Sequence, residues 1–201
     1  MIKNSFLALA LSVFFLRTAS ATSLCTFETA ELKALRAKGV AIEYYPVNAQ
    51  SIGELKTQIR KNGPADTAGK PRDAFFSYNI EWRWPSTSTG KPSFEDLKVE
   101  YKSELVMPCW VDRKSAHPSV VQKWDAYISA MVKHEAQHAE IYFAKRDFVA
   151  QKIKVAARNN VLTSDQANAI GHSVIQEIED ANTKFDQAND NGKQEGVVLA
   201  E

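Results

Sequence analysis

The sequence predicts an α+β fold: a small, mostly antiparallel three-stranded sheet packed with a long C-terminal antiparallel helical hairpin. Three observations lead there. Apolar and polar residues alternate with period two over 40–47, 73–85 and 94–107, the pattern of half-buried strands. A helical apolar stripe then runs over 118–158 through Trp124, Tyr127, Ile128, Met131, Ile141, Tyr142, Phe148 and Val149. Finally, Thr163 and Gln166 form a helix-start signature just beyond Asn159-Asn160, and so short a connection makes the two helices antiparallel neighbours.

Residues 1–21 have the form of an export signal, with Lys3 ahead of an apolar run over 6–16 and Ala19-Ser20-Ala21 before the expected cut. The run is too short to span a bilayer comfortably. The mature chain is therefore expected to begin at Thr22, to be periplasmic or secreted, and to have no membrane insertion after cleavage. Leu24 argues against lipid attachment at Cys25, which needs a small residue before it. Residues 22–192 are expected to form a single domain, and 193–201 a flexible tail. Export permits a disulfide between Cys25 and Cys109, the two cysteines of the chain, with two free buried thiols as the other reading. Closing that loop would be worth about 4 kcal/mol.

The elements follow in order. Residues 28–37 read as a short helix stopped by Gly39. The strand over 40–47 is placed at a sheet edge or strand end by Pro46, which cannot donate to a ladder. Ser51 and Glu54 make a capping box for a helix over 51–61, ended by Gly63-Pro64. After a loop over 63–72 comes the aromatic strand 73–85, with Phe75, Tyr78, Ile80, Trp82 and Trp84. A turn over 85–92 returns the chain into 94–107 as its antiparallel partner. Trp82 and Trp84 are assigned to the core. Met107-Pro108-Cys109-Trp110 breaks the strand, and Pro118 opens the long helix where its missing donor does no harm.

Composition narrows the partners. A content of 44% hydrophobic and 24% charged residues is that of an ordinary globular domain, and a net charge of +1 gives no electrostatic argument for nucleic acid or an anionic membrane. The expected partner is a peptide or protein substrate.

The chemistry is concentrated in His134-Glu135-Ala136-Gln137-His138. Residues four apart share a helix face, so both imidazoles can reach one Zn2+ ion, while Glu135 stands beside it as a base for an activated water. A structural pair of satisfied histidines is the alternative. Both fall on the core-facing stripe, where an unpaired imidazole is costly. A catalytic zinc site usually needs a third protein ligand. With the chain folding back near residue 161, residues whose numbers sum to about 322 lie level, which sets His138 opposite about 184 and His134 opposite about 188. Asp186 falls between. At 1.5 Å rise per residue, Asp190 is displaced by roughly 6 Å, Asp180 by roughly 9 Å, Glu177 by roughly 13 Å and His172 by roughly 20 Å. Tyr142, one turn beyond His138, is a candidate oxyanion donor or else a core tyrosine.

In these residues the chain resembles the bacterial predicted secreted zinc-dependent proteases, catalogued as domain of unknown function 922. The resemblance rests on Tyr45-Pro46-Val47, Gly63-Pro64, Trp82, Met107-Pro108-Cys109-Trp110, Trp124 and the histidine motif, in that order. It implies a zincin-like domain and a zinc-dependent metallopeptidase with His134, His138 and Asp186 as metal ligands and Glu135 as catalytic base. The family tends to follow its aspartate with a threonine and a histidine-glycine pair. Here Phe185-Asp186 and Gly192 are in register, but Asn189 and Asn191 replace the threonine and the histidine. That departure keeps open a second reading, a non-catalytic zinc-binding interaction module.

Overall fold

The protein is described here by a computed structural model covering residues 25–200 except 26, 67 and 160, so the export signal at 1–21 lies outside the described residues. The first helix, α1 (Ala30–Ala37), starts where Thr29 Oγ1 accepts the Leu32 amide at 3.2 Å and leads into strand β1 (Ala41–Val47). Helix α2 (Ile52–Asn62) begins with the expected capping box, Ser51 and Glu54 satisfying each other's backbone donors. Strands β2 (Phe75–Arg83) and β3 (Lys98–Trp110) form the antiparallel pair.

The sheet order is β1-β3-β2. β2 runs antiparallel to β3, from Phe75 beside Val106 to Arg83 beside Lys98, while β1 runs parallel to it, from Ala41 beside Glu104 to Val47 beside Trp110. The sheet is thus evenly mixed, and β1 with Pro46 is an edge strand. β3 also continues past the expected stop at Met107. Val111 donates to Val47 O at 3.0 Å, so by alternation Cys109 and Met107 face β1 and Pro108 faces the other side. β2 begins at the level of Val106, so no ladder donor is missed there.

The single helix expected over 118–158 is two: α3 (Pro118–Lys145) and α4 (Phe148–Asn159). Neither proline nor glycine marks the break, which is why periodicity alone does not show it. The guanidinium of Arg146 lies 4.7 Å from the Tyr101 ring, 4.8 Å from Phe143 and 5.5 Å from Tyr142, and the next ladder bond shortens to Val149 N–Arg146 O. The capping box of Thr163 and Gln166 then starts α5 (Ser164–Ala188), which returns antiparallel to α4 with Lys152 and Glu177 paired at 2.6 Å.

Near its start α5 is locked to the sheet. Trp82 Nε1 donates to Asn168 Oδ1 at 2.9 Å, and a Cβ on Gly171 would meet the Trp82 ring at 2.6 Å, so only glycine allows this approach. Leu105 and Met107 of the central strand are fully buried with Tyr127, Ile128, Met131 and Val132 of α3. Cys25 and Cys109 are joined as a disulfide across a separation of 84 residues. No described helix is long and apolar enough to cross a membrane.

The segment expected to be a flexible tail carries a short turn and one buried side chain. Lys193–Glu195 form a 3-10 turn between Gly192 and Gly196, both at positive φ, and Leu199 is buried. Apolar Val197 and Leu199 give the segment something to bury, and the glycines let it turn back.

Candidate metal centre

His134 and His138 sit one turn apart on the buried face of α3, and α5 brings Asp186 to them. Asp186 Oδ1 is 3.0 Å from His138 Nε2 and 3.3 Å from His134 Nε2, and the two Nε2 atoms are 3.3 Å apart. The other ring nitrogens are also engaged. His134 Nδ1 lies 2.7 Å from Glu195 Oε2 and His138 Nδ1 lies 2.9 Å from Asn182 Oδ1. Both partners are acceptors, so each Nδ1 carries a proton; a neutral ring then presents its Nε2 lone pair inward, and without a metal a proton there bonds to Asp186. Two lone pairs and a carboxylate oxygen then converge on one point. Such a cluster requires a cation, either a shared proton or a metal.

The triangle fits zinc. A tetrahedral ion at about 2.05 Å from nitrogen and oxygen ligands separates them by about 3.3 Å. Phe185 supports the pair from α5, stacked on His134 at 5.0 Å and edge-on to His138 at 5.1 Å. Gly192 also lies against His134. A Cβ there would meet His134 Cγ at 3.1 Å and Val197 Cγ2 at 2.7 Å.

Electrostatics of the metal-free centre follow from the geometry. Burial opposes ionisation of Asp186, but its hydrogen bonds with His134 and His138 and their charges outweigh it and hold the carboxyl well below the usual range. Burial likewise opposes protonation of both histidines; their bonds to Asp186, with Glu195 for His134 and the nearby Glu135 charge for His138, nevertheless raise their pKa values. Glu135 is different. It is buried, its Oε2 accepts the Phe76 amide of β2 at 2.9 Å, and burial pushes its pKa up despite that bond and the neighbouring histidines. A carboxyl so placed is a stronger base than one in water.

A cavity of about 600 Å3 opens onto these groups between Asp66, Ala68, Pro71 and Arg72, the start of β2, α3 and α5. Tyr78 lines it. Tyr142, the candidate donor from sequence, does not: it is fully buried, with its ring stacked on Tyr78 at 4.8 Å. It lies one turn beyond His138 as expected, but there its ring packs against Phe76 and Tyr78 of β2. Burial and the Glu179 charge raise the Tyr78 pKa, so its hydroxyl stays protonated at neutral pH and can donate.

The rival acids stay out of the cluster. Asp190 pairs with Lys193, Asp180 accepts from Gln176, Glu177 pairs with Lys152, and His172 sits edge-on to Trp82. Asn191 lines the cavity with its Oδ1 accepting from Arg72 Nη1 at 3.2 Å, while Arg72 also pairs with Asp66 at 2.9 Å. Four residues of this site were not found by sequence reasoning: Asn182, Glu195, Tyr78 and Arg72. The hairpin arithmetic contains the signal for Asn182, which falls opposite residue 140. Glu195 had none beyond the Gly192 and Gly196 pair that flanks it.

Residues 42–193 match a family described as a bacterial protein of unknown function, DUF922. No curated protein and no solved structure matches the chain.

Proposed function

The chain belongs to the bacterial DUF922 family, and from its centre we propose that it is a zinc-dependent metallopeptidase acting on peptide or protein substrates. The observation that carries this is the convergence of His134 Nε2, His138 Nε2 and Asp186 Oδ1 at zinc spacing beside a buried carboxylate that is not one of the three. Glu135 ties β2 to α3 through the Phe76 amide, and its place beside the three ligands also puts a base next to the metal position. The export-type segment at 1–21 and the disulfide support a periplasmic or secreted location.

His134, His138 and Asp186 would hold the zinc, which would supply Lewis acidity for a carbonyl and a water. The protein provides the rest. Phe76 N–H fixes the Glu135 carboxylate, which takes a proton from the attacking water and delivers it to the nitrogen of the breaking C–N bond. Water and peptide become a carboxylate and an amine. Tyr78, lining the same cavity, donates its O–H to the carbonyl oxygen as charge develops there. Glu195 and Asn182 hold the imidazoles so that their Nε2 atoms face inward.

The test is Glu135→Gln with zinc content measured beside turnover of a broad peptide library. The variant should keep its zinc and lose about 100-fold or more of its rate. Undiminished hydrolysis would remove Glu135 from the chemistry, and no hydrolysis by a zinc-loaded wild type would leave only the interaction-module reading.

A further inference from the structure

We infer that Glu195 is a positioning residue of the metal centre, delivered by a C-terminal strap built for that purpose, and that its carboxylate sets zinc affinity through the orientation of His134. The inference rests on the reading of the His134, His138 and Asp186 cluster as a metal site.

The strap starts at a ligand. Asn191 N–H donates to the backbone oxygen of Asp186 at 2.8 Å, so the turn that ends α5 is tied to the residue that enters the cluster. Three consecutive residues then take left-handed backbone, Asp190 at φ 49°, Asn191 at 52° and Gly192 at 82°, followed by Gly196 at 90°. The two that are not glycine are an aspartate and an asparagine, the L residues that enter this region most readily, so the sequence is suited to the turn. Gly192 O collects Glu195 N–H at 3.0 Å and Val197 N–H at 3.0 Å, and Gln194 N–H donates to Asn189 O at 3.1 Å. Residue 195 is thereby held over His134, while Gly192 lies against the ring itself.

The result is a 2.7 Å bond from His134 Nδ1–H to a carboxylate. A charged acceptor there fixes the tautomer, fixes the ring plane and makes the opposite nitrogen a better donor to a metal. His138 receives only a neutral amide oxygen, from Asn182. The two ligands are therefore not equivalent: His134 is the one held by charge. Glu195 also lies two residues beyond the family-matched span, which ends at 193.

The experiment uses the full mature chain and zinc alone. Zinc affinity is measured by chelator competition for wild type, Glu195→Ala and Glu195→Gln, and the His134 Nδ1–H proton is followed by NMR in the zinc-loaded forms. Alanine should weaken zinc binding about 10–100-fold, the usual effect of losing such a partner, and abolish a downfield, slowly exchanging Nδ1–H signal. Glutamine keeps an acceptor without the charge, so it should recover part of the affinity and retain the signal at a less downfield position. If alanine fails to fold, the glutamine resonance decides: an unmoved signal refutes the bond to the carboxylate. Wild-type affinity in the alanine variant overturns the role of Glu195 alone. A wild type that takes up no zinc overturns the metal reading itself.

Discussion

Replacing Gly192 with alanine separates two effects at the heart of the centre. At φ 82° any L residue incurs about 1–2 kcal/mol, of which the stiffer unfolded chain returns about 0.5 kcal/mol. The added methyl also lands 2.7 Å from Val197 Cγ2 and 3.1 Å from His134 Cγ, an overlap worth a further 1–3 kcal/mol by the usual cost of overpacking, about 2 in the middle of that range. Gly39 is the control. It has φ 86°, and its Cβ would meet nothing within 4 Å, so Gly39→Ala carries the backbone cost alone, about 1 kcal/mol. Gly192→Ala should therefore be less stable than Gly39→Ala by about 1–3 kcal/mol, or roughly 2–4 °C in Tm for each kcal/mol in a domain this size. It should also weaken zinc binding, which Gly39→Ala should not. Urea unfolding and chelator competition on both proteins read the two effects. Equal stability and equal zinc affinity in the pair would refute the packing of Gly192 against His134.

Three more outcomes follow from the same geometry. In the metal-free protein the raised pKa values of His134, His138 and Glu135 make their protonated forms native-like, so their contribution is full in acid and is lost as pH rises through the folded values. Asp186 acts oppositely, contributing above the ordinary carboxylate range and losing this only in strong acid. Metal-free Tm should then fall as pH rises above the ordinary histidine range, while stabilisation by added zinc grows over the same interval because binding releases those protons; parallel profiles with and without zinc would contradict this. Tyr78→Phe should lower kcat about 100-fold with zinc content unchanged, whereas Tyr142→Phe should leave kcat near wild type, and the reverse ranking would restore Tyr142 as the donor. Removing the disulfide with Cys25→Ser and Cys109→Ser together should cost up to about 4 kcal/mol in denaturant unfolding without altering zinc affinity, since Cys109 belongs to β3 and not to the cavity wall.

Much of this was legible in the sequence because it is local. Ser51 with Glu54 and Thr163 with Gln166 announce helix starts through bonds between residues three apart, and both boxes form. The approach of Asp186 was legible for a subtler reason: an antiparallel hairpin turns sequence distance from its tip into height along the axis. The break at Arg146 leaves that height relation intact, with His138 opposite Asn182 at a sum of 320. What stayed hidden depends on distant partners. The parallel pairing of β1 with β3 is not written in either strand, and Pro108 is tolerated because β2 begins only at the level of Val106. Tyr78 and Tyr142 look alike in sequence, and only the stacking of one upon the other decides which meets solvent. The strap is hardest, since residues 194–200 have no periodicity and the turn there rests on bonds to Gly192 and Asn189 and on the burial of Leu199.

The lock between Trp82 and α5 has a mechanical meaning. Gly171 stands fifteen residues before Asp186 on an unbroken helix, a lever arm of about 22 Å at 1.5 Å per residue. Over that length one degree of tilt moves the far end by about 0.4 Å, close to the half-ångström tolerance of a working centre. The indole at one end of the sheet thus acts as the fulcrum from which a carboxylate several turns away is aimed, and the alignment of the ligands is decided where no ligand is.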